Sequence, residues 1–166
     1  MSEALAPPFL VASLVLCLAG LAKLRAPHTA AAALRTSPSL VRGLAVGEFV
    51  LGVTCMVHPT RATAVVLAGA YATFTGVAAT LRRRRVACGC FGDNDLPVSQ
   101  AHVIASELQG ALAAAAALAS PRGLPWVAGQ PIAEALVLAV AIAVAAYATV
   151  LVYTVLPRAW NAWSAE

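Results

Sequence analysis

Two cysteines, Cys88 and Cys90, stand one glycine apart in the segment RRRRVACGCFGDND, residues 82–95. A fully extended chain would hold their Cα atoms about 6.6 to 7.2 Å apart, beyond the usual disulfide separation of about 5.5 to 6 Å. Gly89 permits the contraction that a bridge needs, because it has no Cβ, and Gly92 provides a second flexible point. A disulfide this short is strained, and strained disulfides are readily exchanged. The spacing predicts a redox couple.

The charges around the two cysteines are unequal. Arg85 precedes Cys88 by three residues, and neighbouring cations favour the thiolate, which is the reactive form. Asp93 and Asp95 act in the opposite direction and lie nearer to Cys90. This asymmetry makes Cys88 the candidate attacking thiol and Cys90 its resolving partner.

Two other interpretations of this cysteine pair stay open. In the first, Cys88 and Cys90 are two ligands of a metal, and His102 or Asp93 completes the set. No second CxxC or HxxxH spacing in the chain supports that site. In the second, both cysteines are unreactive. The four arginines at 82–85 also serve as a membrane topology signal.

The composition excludes an ordinary soluble domain. The chain is 61% hydrophobic and 11% charged, against about half and about a quarter in globular proteins. A stretch of roughly 20 apolar residues crosses a bilayer as a helix. The fourth such stretch carries His102, Glu107 and Gln109, so a surface helix is its alternative. We predict one integral membrane domain over residues 1–166, an all-α polytopic helical bundle with spans at about 5–22, 43–59, 62–81, 98–118 and 134–156.

The positive charges indicate an orientation in the cell membrane. If the amino terminus lies outside, nine of the eleven Lys and Arg residues are cytoplasmic, and Arg61 and Arg122 are outside. The positive-inside rule therefore predicts an outer amino terminus and a cytoplasmic carboxyl terminus. The net charge of +4 then reflects orientation, and we expect no nucleic-acid partner.

Ionisable residues within the spans are costly unless paired or protonated. Glu48 lies inside the second span, and Lys23 ends the first span on the same side. They either form a pair between helices, or Lys23 extends to the interface. Glu107, five residues after His102, is either a buried hydrogen-bonded residue or a proton acceptor for thiol chemistry.

Small residues in the spans predict close helix packing. Gly43 and Gly47 form a GxxxG spacing, and residues 113–117 form a second small face. Cys17 and Cys55 lie within apolar spans, where a cysteine usually behaves as a small hydrophobe.

These features together resemble the MauE family of methylamine utilisation proteins and the wider DoxX-like group of redox-associated membrane proteins. The resemblance is carried by GLAKL with Lys23, GEFVLG with Glu48, and CGCFG with Phe91 after the third span. VSQAHVIASELQGAL in the fourth span also resembles the family. The similarity covers about residues 7–119 and implies a DoxX-like four-helix core, to which the fifth transmembrane helix is added.

The resemblance implies a thiol/disulfide redox helper in the maturation of an exported, disulfide-containing partner, which is the methylamine dehydrogenase light subunit in the founding case. It also implies a thiol redox donor or acceptor, and it leaves open whether the chain is itself a thiol-disulfide oxidoreductase. No cofactor is expected with certainty beyond the redox-active disulfide; a quinone or a metal stays open. The alternatives are a metal- or substrate-binding membrane carrier and a non-catalytic subunit of a larger membrane complex.

One expectation conflicts with the implied function. The predicted orientation places Cys88 and Cys90 on the cytoplasmic side, whereas the implied clients fold outside. Either the loop re-enters the bilayer, or electrons cross the membrane from a cytosolic thiol donor, or the orientation is reversed.

Overall fold

The fold was analysed in a computed structural model that describes residues 3–86 and 98–156. Every secondary-structure element in the described part of the chain is a helix, which confirms the predicted all-α class. Its helices are α1 (Ala6–Arg25), α2 (Pro27–Leu34), α3 (Pro38–Val57), α4 (Arg61–Arg84), α5 (Gln100–Ala119), α6 (Leu124–Ala128) and α7 (Ile132–Thr154).

Five of these helices are long and apolar enough to cross a membrane: α1, α3, α4, α5 and α7. The predicted number of five long apolar helices is therefore confirmed, and α5 is the helix at the fourth predicted span. Each has at least 20 residues, the length that matches a hydrocarbon core of about 30 Å. The chain is a multi-pass membrane protein.

The short helix α2 lies in the connection between the first two spans. Arg35 closes α2 in a left-handed conformation with φ 53°. Pro38 begins α3, five residues before the predicted start of that span. Ser37 caps α3 by accepting a hydrogen bond from the Leu40 N–H at 3.3 Å. A proline with fixed φ after such a cap starts a helix rather than ending one.

The helices form two closely packed antiparallel pairs, α1 with α3 and α4 with α5. Although α3 and α4 are joined by a short turn, they contact each other much less than each contacts its main partner. Helix α1 is the most buried span, because one of its faces packs against α3, α4 and α5, and another packs against α6 and α7. The core of the first four spans includes Phe9, Leu16, Cys55, Leu67, Tyr71 and Ala113.

Two glycines set the close approach of α1 and α3. A Cβ on Gly20 would lie 2.7 Å from the Ala45 carbonyl oxygen, and one on Gly52 would lie 2.7 Å from the Ser13 carbonyl oxygen. Only a residue without a side chain fits at such contacts.

The predicted GxxxG packing face is wrong. Gly43 and Gly47 are exposed, and a Cβ on either would meet nothing within 4 Å. The spacing occurs by chance on the outer face of α3. The small face of α5 does pack as predicted, with Ala113, Ala116 and Ala117 all buried in the core.

Candidate functional site

A buried ion pair joins the two helices α1 and α3. The Lys23 Nζ donates to both carboxylate oxygens of Glu48, at 2.5 Å and 2.7 Å. The two side chains are only 11% and 12% exposed. The structure therefore shows the predicted pair between helices, and not a Lys23 side chain extended to the interface. Each charge removes the cost of burying the other, and the contact fixes both side chains in one geometry.

Helix α4 contributes an aromatic side chain to the same site. The Lys23 Nζ lies 4.8 Å from the centroid of the Phe74 ring, within the range of a cation–π interaction. Phe74 packs edge to face on Tyr71, with ring centroids 5.8 Å apart. The Tyr71 hydroxyl donates to the Ala12 carbonyl oxygen at 2.7 Å. The Lys23–Glu48 pair and the Phe74 ring therefore link α1, α3 and α4.

The ends of the cysteine-bearing segment are joined where α4 ends and α5 begins. We call residues 87–97 the cysteine loop; they lie outside the described residues. The Val98 N–H donates to the Val86 carbonyl oxygen at 3.2 Å. Nearby, Arg82 donates to the Gln100 side-chain oxygen at 3.3 Å. These contacts hold the two ends of the cysteine loop against each other.

The predicted redox residues belong to the cysteine loop. Cys88, Gly89, Cys90, Phe91 and Gly92 all lie outside the described residues, so their assignment stays a prediction.

Arg85, which was expected to favour the Cys88 thiolate, lies within the described residues. It closes α4 in a left-handed conformation with φ 55°, and its side chain is exposed. Its backbone N–H bonds the carbonyl oxygens of Leu81 and Arg82. A cation at this position also complements the negative end of the helix dipole.

His102 is held in place at the start of α5. Its Nδ1 accepts a hydrogen bond from the Ser99 N–H at 3.3 Å and lies 3.0 Å from the Ser99 hydroxyl. On the other side its ring packs edge to face on Tyr153, with centroids 5.4 Å apart. The Tyr153 hydroxyl lies 3.0 Å from the Ser106 hydroxyl. This buried contact of α5 with α7 was missed, because Tyr153 looked like one more apolar residue of its span.

Glu107 and His102 are not brought together. Five residues of helix turn the chain through about 500°, so the two side chains point about 140° apart. His102 is buried, whereas Glu107 is exposed. Glu107 lines an open groove of about 660 Å³ between α4 and α5, with Gly69 and Ala72 on the opposite wall.

The two remaining cysteines are buried free thiols on the α1–α3 side of the core. Cys17 is 3% exposed, and its Sγ contacts the Phe49 carbonyl oxygen at 3.6 Å. Cys55 is fully buried, and its Sγ contacts the Thr63 carbonyl oxygen at 3.5 Å. Within residues 3–86 and 98–156, no group of three His, Cys, Asp or Glu side chains could hold a metal ion.

The comparison with known protein families matches residues 3–120 to the methylamine utilisation protein MauE. The matched region contains α1 to α5, the Lys23–Glu48 pair and the cysteine loop, while α6 and α7 lie beyond it. No curated protein and no solved structure matches the chain. Because the match covers well over half of the 166 residues, the chain belongs to the MauE family of methylamine utilisation membrane proteins.

Proposed function

We propose that this protein is a membrane thiol/disulfide redox helper in the maturation of an exported, disulfide-containing partner, with Cys88 and Cys90 as the exchanging pair. The observation that carries the proposal is the placement of the CGCFG sequence. It lies inside the family match and between two helix ends that the Val86–Val98 hydrogen bond holds together. The family name suggests that this partner takes part in methylamine metabolism.

The proposed exchange has two steps. The Cys88 thiolate attacks a disulfide sulfur of the partner, which forms a mixed disulfide and releases one partner thiolate. Cys90 then attacks the Cys88 sulfur, which forms the Cys88–Cys90 disulfide and releases the second partner thiolate. Two electrons pass to the partner, and a thiol donor must restore the cysteine pair. The same steps in reverse oxidise the partner and need a disulfide acceptor.

The buried ion pair has a supporting role in this proposal. Lys23 and Glu48 are too enclosed to meet a protein partner, at 11% and 12% exposure. They join α1 to α3, and through Phe74 they contact α4, the helix that leads into the cysteine loop. We assign them the task of holding these helices in register.

The predicted orientation places the cysteine loop at the cytoplasmic end, so direct exchange with an exported partner requires that the loop re-enters the bilayer or that the orientation is reversed. Support for the predicted orientation comes from the separation of charges between the two ends of the bundle. Arg61 contacts Ser120, and Arg122 pairs with Glu3, at the end opposite Arg82 and Gln100. The arginine-rich end is the one that the positive-inside rule assigns to the cytoplasm.

Trapping of the mixed disulfide tests the proposed exchange. In the full-length Cys90→Ser variant, the second step cannot occur, so a Cys88-linked partner should accumulate in cells and disappear on reduction. Cys88→Ser should trap markedly less, since it removes the proposed attacking thiol. Cys17→Ser is the matched control, because its buried thiol should not affect trapping. Absence of any Cys88-linked adduct, with partner maturation intact in the Cys88→Ser/Cys90→Ser variant, would overturn the proposal.

A further inference from the structure

An open groove runs between α2 and the last three turns of α4. Two adjoining cavities, of about 340 Å³ and 610 Å³, share Ala33 and Arg84 as lining residues. A small residue lines each side of the groove. Ala33 lies on the α2 side and Gly76 on the α4 side, and a Cβ on Gly76 would meet nothing within 4 Å.

The deeper part of this groove is apolar. Leu34, Val77 and Leu81 line it beside the two small residues. The hydroxyls of Thr73 and Thr80, which also line it, donate back to carbonyl oxygens of their own helix at 2.9 Å and 2.8 Å. With those hydroxyls occupied, the wall offers contacts to a hydrocarbon chain rather than to a polar ligand.

The rim of the groove is positively charged. Arg84 ends α4, and Arg35 closes α2 across the second cavity. Both side chains are exposed, and neither forms an ion pair with a residue in 3–86 or 98–156. Two guanidinium groups that line one cavity at the end of an apolar groove suit a phosphate, because a guanidinium binds phosphate in a bidentate manner.

The length of the groove matches one lipid leaflet. From Thr73 to Arg84 the lining residues follow one face of α4 over eleven residues, which is about 16 Å at a rise of 1.5 Å per residue. Half of a hydrocarbon core is about 15 Å. A chain lying along this face would reach the middle of the bilayer with its headgroup at the arginines.

We propose that this groove is a binding site for an anionic phospholipid, with one acyl chain beside Gly76 and Val77 and the phosphate between Arg35 and Arg84. Basic pockets between membrane helices bind anionic headgroups in this way. A free phosphate would pair with the arginines but leave the apolar part of the groove empty. A zwitterionic lipid would fill the apolar part, but the positive group of its headgroup would repel the arginines. The site does not depend on the proposed thiol chemistry.

Native mass spectrometry of the purified full-length protein tests the site. With phosphatidylglycerol and phosphatidylcholine added in equal amounts, we expect preferential retention of phosphatidylglycerol. Since each arginine near a headgroup contributes about fivefold in affinity, Arg35→Gln and Arg84→Gln should each lower that retention about fivefold. Arg83→Gln is the matched control, because Arg83 is exposed on the same turn but does not line the groove.

A filled groove tests the acyl-chain part separately. Gly76→Leu should fold normally, because the added side chain enters open space, and it should lower phosphatidylglycerol retention about tenfold or more. Gly69→Leu is the control, since Gly69 lies on the same helix, also has open space, and lines the other groove. Displacement of the lipid by inorganic phosphate alone, equal retention of both lipids, or equal behaviour of Gly76→Leu and Gly69→Leu would each overturn the proposal.

Discussion

The α1–α3 interface and the α4–α5 interface are both long antiparallel helix contacts, but the carboxylate is largely buried in the first and exposed at the second. Glu48 faces into the first interface and pairs with Lys23 at 2.5 Å. Glu107 lies on the outer side of the second interface, beside an open groove, and it forms no ion pair with a described residue. One interface is closed around its charge, and the other leaves its charge accessible.

The space around the glycines also differs between the two interfaces. Gly52 allows α1 and α3 to touch, since an added Cβ would lie 2.5 Å from the Cys17 Sγ. Gly110 on α5 is less restricted, because an added Cβ would lie 3.3 Å from the Tyr71 Cβ. At these glycines, α1 and α3 approach each other more closely than α4 and α5 do.

The largest expected effect comes from removing the charge of Glu48. Glu48→Gln leaves Lys23 buried without its counter-charge, and breaking a buried pair in this way typically costs about 3–5 kcal/mol. Unfolding in detergent, followed by circular dichroism, should show a large loss of stability. The Lys23→Met/Glu48→Met double variant should recover most of it. If Glu48→Gln is as stable as the wild-type protein, the ion pair does not organise the α1–α3 interface.

A smaller difference is expected between two glycine substitutions. Gly52→Ala must push α1 and α3 apart, and overpacking of this kind costs about 1–3 kcal/mol. Gly110→Ala needs a shift of a few tenths of an ångström and should cost less than about 1 kcal/mol. Thermal unfolding of the two variants under one condition measures the contrast. Equal losses would mean that the two interfaces are packed equally tightly.

Tyr71 connects the two interfaces, so its hydroxyl should contribute a moderate amount. Tyr71→Phe removes the 2.7 Å hydrogen bond to the Ala12 carbonyl oxygen and keeps the ring against Phe74. We expect a loss of about 0.5–1.5 kcal/mol, typical of one hydrogen bond. Tyr147→Phe is the control, because Tyr147 is 64% exposed. Similar results for both would show that the Tyr71 bond adds nothing to stability.

The smallest effect is expected at Glu107. Because its carboxylate forms no ion pair with a described residue, Glu107→Gln breaks no such contact and should not lower stability by more than about 0.5 kcal/mol. The same unfolding assay, run beside Glu48→Gln, gives the comparison directly. A loss as large as that of Glu48→Gln would show that the open side of α4–α5 contains a structural contact.

Hydropathy alone predicted the spans, because the length of a membrane helix follows from the thickness of the bilayer. The Lys23–Glu48 pair was one of two alternatives, since a single charge inside a span requires a partner without identifying it. The prediction of the GxxxG face was wrong because spacing does not tell which side of a helix meets its neighbour. Gly52 lies at the close contact between α1 and α3, and no sequence motif marks it. The role of Tyr153 depends on α7 packing against α5, which no local pattern encodes.

The most direct test of the redox function is the oxidation state of the cysteine pair in cells. In a Cys17→Ser/Cys55→Ser background, Cys88 and Cys90 are the only cysteines left, so alkylation with a maleimide of high mass counts their free thiols. The proposed function predicts that a part of the protein carries no free thiol and gains two on treatment with dithiothreitol. Two free thiols in every molecule, under all growth conditions that support partner maturation, would contradict it.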